Sequence, residues 1–451
     1  MAKNIYDFTY SYSLVKAYMM AFFKRFYGDY VVNGSENLPK SGPVIYAANH
    51  LNALMDPLAV ISILPHKMPI VYLARSDYFK NEKVRKMLTF CKLLPAFRMR
   101  EGIGNLEKNH EIFDKCVEVL DHNTPLGIMP EGNQGGFRRL RPLVKGIFRI
   151  AFTAQQKYGT QQGVKIVPVG IDLGDFEKYG KHLIVNIGKP IEVSEYMNDY
   201  NENQAAATNR LRERLSEELI QLTLNLDTQE HYDCFETATE VANTAMVEDT
   251  KKRNNTLHRF FARQRIANHL VRLEKHKPEV IYKLDEICKE YKENLQRLNL
   301  RSWVFEHKGF KATQLTVSFL LLLITFPVFL IGFILNILPF MAPDITRRLL
   351  KIKAPGGLSS LRYGFGMLSF PLFYLMQGIL IYKRIRGDFW NLIFIIPMQY
   401  IFGKLSFYWY KSYKKLMAKW RYRKLEKQNS PELMKTIQLH KEIIKIIRQA
   451  S

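Results

Sequence analysis

From Tyr30 to Val193, short runs rich in β-branched residues alternate with stretches whose apolar positions recur every three or four residues. Residues 30–32, 44–47, 70–74, 126–129, 165–171 and 183–187 predict strands, and residues 106–120 have the spacing of an amphipathic helix. Strands interleaved with helices predict an α/β domain over residues 31–193, a mixed, largely parallel sheet flanked by helices. Polar sites in such sheets gather at the carboxyl ends of the strands. Ahead of this domain, residues 1–30 mix aromatics with Lys16, Lys24 and Arg25. Their apolar stretch is shorter than the roughly 20 residues a bilayer requires. No small-residue cleavage site follows, so an amphipathic interfacial helix, or a helix packed on the domain, is expected.

After the domain, residues 194–310 turn polar, with apolar residues at helical spacing among dense charges, and read as a helical insertion or linker. Residues 311–410 are the membrane-embedded region: 312–343 and 363–382 carry no charged side chain, and 389–410 carry only Lys404. Each is long enough to span a bilayer. Pro327 and Pro339 break the first stretch, which predicts two short helices that dip into the membrane and return. Two full crossings would follow, exposing residues 383–388 on the far side. That scheme leaves the α/β domain and the basic tail, 411–451, together at the cytoplasmic face, as the positive-inside tendency favours.

Charge sharpens the membrane reading. The chain has 66 Lys+Arg against 42 Asp+Glu, a formal net charge of +24. A surplus of that size implies a polyanionic partner, either nucleic acid or an anionic membrane surface. Many aromatics lie beside Lys or Arg in or near the apolar runs, which favours anionic membrane lipids. Zinc-finger spacing, RNA-binding strand signatures and basic heptads are all missing from the sequence, which points away from nucleic acid. Cys91, Cys116, Cys234 and Cys288 are scattered without a CxxC pair, as suits a reducing compartment.

The candidate chemistry centres on Ala48-Asn49-His50-Leu51-Asn52-Ala53-Leu54-Met55-Asp56-Pro57, which follows a predicted strand. A histidine of near-neutral pKa can take a proton from a hydroxyl, and a neighbouring carboxylate fixes its tautomer and stabilises the imidazolium. The plainer alternative is a loop histidine bonded to backbone, with an aspartate capping the next helix. Further polar clusters follow other predicted strands: Arg75-Ser76-Asp77, Pro130-Glu131-Gly132-Asn133 and Pro168-Val169-Gly170.

In order along the chain come Asn49-His50 with Asp56-Pro57, then Ala74-Arg75-Ser76-Asp77-Tyr78-Phe79, then Leu94-Pro95-Ala96-Phe97-Arg98-Met99-Arg100. Met129-Pro130-Glu131-Gly132 and Val167-Pro168-Val169-Gly170 complete the series. It resembles the ordered blocks of the glycerolipid acyltransferase family, which includes glycerol-3-phosphate and lysophosphatidate acyltransferases. The resemblance covers roughly residues 31–191. It implies transfer of a fatty acyl group from a thioester, acyl-CoA or acyl-carrier protein, to a hydroxyl of a phosphorylated glycerol or lysolipid in phospholipid synthesis. His50 falls on the family's base and Asp56 on its orienting group. No cofactor beyond the donor is implied.

Two departures stand out. The interval Leu51-Asn52-Ala53-Leu54-Met55 is one residue longer than the usual family spacing, and Glu131-Gly132-Asn133-Gln134 lacks the family's usual Thr and the Arg or Ser after it. An Arg there is associated with the acceptor's phosphate. Its loss keeps two other readings open, acyl transfer to another lysolipid or aminolipid and a non-catalytic lipid-binding scaffold. Acyl transfer also needs a grip on the acceptor's non-reacting part, and a phosphate wants cations and helix N-termini. Arg98, Arg100 and Lys145 are the expected anion binders, whereas Arg138, Arg139 and Arg141 read as a solvated basic loop or headgroup contact. Glu131 and Gly132 are candidate substrate-binding residues, Glu131 toward acceptor hydroxyls or toward loop backbone. No Gly-x-Ser-x-Gly elbow and no partnered cysteine is present, so direct attack without an acyl-enzyme is expected, and no metal motif is evident.

Overall fold

The computed structural model describes residues 4–97, 104–158, 163–307, 309–351, 357–385 and 391–449, with the side chains of 104–109, 385, 391 and 392 left aside. The chain forms two compact units, one of Met1–Asn225 with Lys353–Tyr363, the other of Leu226–Ile352 with Gly364–Ser451.

In the first unit, α1 (Tyr10–Phe26), β1 (Asp29–Asn33), β2 (Val44–Ala48), α2 (Met55–Ser62), β3 (Val71–Arg75), α3 (Glu82–Phe90) and β4 (Leu93–Ala96) come first. They are followed by α4 (Gly104–Asp121), β5 (Leu126–Ile128), α5 (Gly146–Tyr158), β6 (Lys165–Leu173), β7 (His182–Ile187), β8 (Ile191–Glu192), α6 (Met197–Glu202) and α7 (Gln204–Leu222). The strands make one sheet in the order β1-β7-β6-β2-β5-β3-β4, with β8 on β6. Pairing is parallel except for β6 with β7 and with β8, so the predicted mixed, largely parallel sheet is what forms. The two-residue β8 is too short to leave a periodic signal in the sequence.

The sheet is buried by α4, α5 and α7 through a core that includes Ile45, Ala47, Val119, Leu126, Phe148, Phe152 and Ile166. Ala207, Leu211, Leu215 and Leu219 recur every fourth position on α7 and are fully buried in that core. Asn203 starts this helix by accepting the Ala206 N–H at 3.0 Å. The unit therefore runs on to Asn225 rather than ending near residue 193, because one face of α7 is core and only the other is charged. Helix α1 also shows two faces. Tyr12, Lys16, Met20, Phe23 and Phe26 are buried, while Tyr10, Leu14 and Tyr18 are exposed. The Lys16 ammonium donates to the carbonyls of Pro65 and Met68 at 2.9 and 2.8 Å, and burial lowers its pKa to about 8.

The second unit contains α8 (Tyr232–Asp249), α9 (Thr256–His276), α10 (Pro278–Arg297), α11 (Ala312–Leu349), most of α12 (Gly357–Ile385), α13 (Asn391–Lys427) and α14 (Pro431–Gln449). The stretch expected to dip and return is instead one continuous helix, α11, of 38 residues with Pro327, Pro339 and Pro343 inside it. At 1.5 Å per residue it is about 57 Å long, well beyond a hydrocarbon core of about 30 Å. Each proline removes one N–H donor, which bends a helix without reversing it. Helices α11 and α12 are long and apolar enough to cross a membrane. Helix α13, with Lys404 and a strongly basic second half, does not join them. The expected far-side loop, 383–388, lies largely outside the described residues.

Helices α11 and α13 run antiparallel. Trp409 donates to the Leu322 carbonyl at 3.0 Å and stacks on Phe329 at 4.2 Å, while Asn336 reaches the Gln399 carbonyl at 3.3 Å. Gly332 allows the approach, since a Cβ there would lie 2.1 Å from the Phe402 carbonyl oxygen. Tyr374 of α12 donates to Asn336 at 2.6 Å and Gln399 donates to the Tyr374 carbonyl at 2.9 Å, so buried polar groups join the apolar helices.

His440 on α14 is buried beside Phe305, and its Nδ1 lies 3.0 Å from the Tyr291 hydroxyl. Burial lowers its pKa from 6.5 to about 4. The unfolded chain then binds the extra proton between those values, so this contribution to stability is complete above pH 6.5 and is lost as the pH falls toward 4. The loss amounts to about 3 kcal/mol. His440→Gln should flatten the fall in melting temperature between pH 6.5 and 4.5; an unchanged slope would remove His440 as its source.

Candidate active site

Strand β2 ends at Ala48, and the next residue locks it in place. The Asn49 side chain accepts from the Ile171 N–H at 2.7 Å and donates to the Ile171 carbonyl at 3.1 Å, extending the β2–β6 pairing with an amide in place of main chain. The chain then leaves the sheet at His50, turns, and enters α2 with Asp56 in its first turn. His50 Nδ1 and Asp56 Oδ2 are 3.0 Å apart, the histidine side chain 16% exposed and the aspartate 0%. The longer His-to-Asp interval thus still delivers the carboxylate to the ring. The extra length is taken up by the Asn52 N–H, which donates to the same Oδ2 at 2.5 Å. Burial pushes the Asp56 carboxyl above its ordinary range, and the His50 hydrogen bond and charge, with main-chain N–H groups, pull it back. With Nδ1 engaged by the carboxylate, Nε2 is the ring nitrogen left to exchange a proton.

The main chain of His50 is held from the other side. Glu131 Oε1 accepts the His50 N–H at 2.6 Å, and the Gly135 N–H donates to the His50 carbonyl at 3.0 Å. The other Glu131 oxygen, Oε2, takes the Arg141 N–H at 3.1 Å and its Nε at 2.9 Å. Both oxygens of Glu131 are therefore engaged by loop and motif backbone and by Arg141. Gly132 has φ of +67°, a left-handed conformation natural to glycine, and its N–H closes a turn on the Met129 carbonyl at 3.0 Å. Asn133 and Gln134 continue this loop, which Arg141 closes by donating to the Gln134 carbonyl at 3.1 Å.

The other expected binders fall differently. Lys145 is exposed immediately before α5. Arg98 and Arg100 lie outside the described residues. The expectation of a solvated loop at Arg138–Arg141 is corrected for two of its members. Arg138 is 5% exposed, faces Asp172 at 3.5 Å, donates to the Leu173 carbonyl and lies over the Phe176 ring at 4.8 Å. Arg141 is the partner of Glu131, and only Arg139 is exposed. Arginines in series look solvated in a sequence; their carboxylate partners are set by the fold. Asn49, Asn52 and Arg141 were not singled out by residue type, since their roles arise from main chain brought up from distant segments. Among the described residues no cluster of His, Cys, Asp and Glu could hold a metal ion.

The Glu131–Arg141 pair makes a stability prediction. Arg141→Met leaves the Glu131 carboxylate, 2% exposed, without its cation, and should cost about 2 kcal/mol once the partial exposure of Arg141 is allowed for. Adding Glu131→Gln to that variant should recover part of the loss in urea denaturation. A cost below about 0.5 kcal/mol, the scale of ordinary surface changes, would contradict a structural role for the pair.

Residues 29–172 match the Acyltransferase family model. The chain is 24% identical over 310 residues to glycerol-3-phosphate O-acyltransferase 1 of Saccharomyces cerevisiae, covering 64% of this chain and 40% of that protein. It is 30% identical over 166 residues to 1-acyl-sn-glycerol-3-phosphate acyltransferase of Borreliella burgdorferi, covering 36% of this chain and 58% of that protein. The chain thus spans less than two thirds of either relative. Among solved structures, the 1-acyl-sn-glycerophosphate acyltransferase PlsC of Thermotoga maritima is 20% identical, with a TM-score of 0.33, covering 46% of this chain and 76% of that one. Residues 29–172 thus form an acyltransferase domain, with distant homology to the yeast and Borreliella acyltransferases.

Proposed function

We propose that this protein transfers a fatty acyl group from an acyl thioester to a hydroxyl of glycerol-3-phosphate or lysophosphatidate, with His50 as general base and Asp56 as its orienting group. The observation that carries the reading is the 3.0 Å contact between His50 Nδ1 and a carboxylate with no solvent exposure. Such a carboxylate holds the ring in the tautomer whose Nε2 accepts a proton and stabilises the imidazolium that results. The acceptor hydroxyl gives its proton to Nε2 as its oxygen attacks the thioester carbonyl. The tetrahedral intermediate then expels the thiolate, which takes the proton back from the imidazolium.

The phosphorylated acceptor is inferred from what the two relatives are named for. Arg98 and Arg100, with Lys145 ahead of α5, are assigned to its phosphate. Glu131 and Gly132 are assigned to shaping the loop that carries His50. The donor, acyl-CoA or acyl-carrier protein, is an anion in either case, and a net charge of +24 suits it and an anionic membrane alike. We assign the protein to the membrane, with α11 and α12 as its anchor and the catalytic unit at the cytoplasmic face.

The test is acyl transfer by the purified full chain with a panel of labelled acceptors and both donor types. Glycerol-3-phosphate or lysophosphatidate should be acylated in preference to unphosphorylated acceptors, and His50→Ala should lose about a thousandfold or more in kcat. Arg98→Ala or Arg100→Ala should raise the acceptor KM about tenfold, equivalent to about 1.4 kcal/mol of lost binding, at little cost in kcat. Equal activity of His50→Ala and wild type above background would remove the catalytic assignment.

A further inference from the structure

Asn52 lies within the His-to-Asp interval and is 0% exposed. Its main-chain N–H holds Asp56 Oδ2, as described above, and its side chain reaches in another direction. The side-chain amide donates to the Phe176 carbonyl at 2.8 Å and to Ser359 Oγ at 2.8 Å, and the Ser360 hydroxyl donates back to Asn52 Oδ1 at 3.5 Å. Ser359 and Ser360 stand in the first turn of α12, beyond the whole of α11, in the short segment that belongs to the catalytic unit.

That segment is fixed at several further points. Leu358 is 5% exposed, Ser359 3% and Tyr363 3%. Arg362 donates to the Glu177 carbonyl at 2.9 Å, and the Tyr363 hydroxyl donates to the Met19 carbonyl at 2.8 Å. The Tyr363 ring meets Phe23 and Phe26 edge-on, with centroids 6.0 and 6.4 Å apart. Tyr27, the next residue after Phe26, feels the Asp56 charge and Tyr363 together, with burial as the larger cause of its raised pKa. Residues 358–363 are therefore anchored on α1, on the Glu177 main chain and, through Ser359 and Ser360, on Asn52, and Ser359, Asn52 and Asp56 are linked in series by hydrogen bonds.

We infer that residues 358–363 are a strap over the catalytic turn, in which Ser359 and Ser360 act through Asn52 as positioning residues for the Asp56 carboxylate. The inference rests on the reading of His50 and Asp56 as the proton-transfer pair. A buried amide with its hydrogen-bonding groups on fixed partners has one favourable orientation, and the main chain that carries it has little room to move. The carboxylate sees that main chain directly, through the Asn52 N–H. Proton transfer is steep in geometry, and displacements of about 1 Å arising away from the chemistry can cost about a hundredfold in rate. Turnover accordingly depends on the first turns of α12. The catalytic sheet supplies the base, and this segment completes the support of its partner.

The experiment compares full-length wild type, Ser359→Ala, Tyr363→Phe and His50→Ala in phospholipid vesicles. Glycerol-3-phosphate and a long-chain acyl-CoA are the probes, and kcat, KM, the pH–rate profile and melting temperature are measured. Ser359→Ala should lower kcat about tenfold or more, leave both KM values within about twofold, and shift the acidic limb of the kcat profile, while the melting temperature falls only a few degrees. Tyr363→Phe, which removes one hydroxyl at the far end of the strap, should act in the same direction more weakly. Wild-type kcat and pH profile in both variants would overturn the inference, as would a loss confined to melting temperature. His50→Ala separates the two levels: if it is active, the catalytic pair itself is misassigned. If it is inactive while both strap variants match wild type, only the strap fails.

Discussion

An ionised Asp56 with no solvent exposure is costly, and the structure around it can be understood as what offsets that cost. Desolvation raises the carboxyl's pKa, while the imidazole of His50 and the main chain of the turn stabilise the charged form. Those groups can do so only if the turn between β2 and α2 is held in one shape. The Asn49 amide fixes its start against β6, Glu131 and Gly135 fix the main chain of His50, and Asn52 fixes its middle against Phe176 and Ser359. The pair exists because three separate parts of the chain press on one short turn.

Much of the charged chemistry around the turn is scaffolding for one imidazole. Glu131 has its oxygens on a main-chain N–H and an arginine, and Arg138 faces a buried aspartate and an aromatic ring. Charges used like this confer geometry more than stability, since a buried ion pair seldom outperforms an apolar replacement. The departure at Asn133-Gln134 fits the same picture. The loop is closed by Arg141 reaching the Gln134 carbonyl, a main-chain contact that does not require a particular side chain at either position.

The α/β class, the strands and the His–Asp pair were legible because their signals are local: β-branched runs bounded by turns, and two residues a few positions apart. The limit of the first unit was harder. The stripe of Ala207, Leu211, Leu215 and Leu219 sits on a helix whose remaining surface is charged, so average polarity concealed a core face. The prolines of α11 suggested a reversal, yet tight pairing with α13 through Gly332 and the Asn336–Tyr374–Gln399 group keeps one continuous helix. The roles of Arg138, Arg141 and Asn52 could not be read from the sequence. Each depends on a partner from another segment, and Ser359 lies 307 residues beyond Asn52.

The central claim is that a buried carboxylate orients His50 for proton transfer, and Asp56→Asn addresses it most directly because it preserves size while removing the charge. Its amide cannot stabilise an imidazolium as the carboxylate does, and it invites the opposite tautomer. The account predicts a fall in kcat of about a thousand- to ten-thousandfold with the acceptor KM little changed and the fold intact by circular dichroism. A variant that retains wild-type kcat across pH 6 to 9 would contradict it.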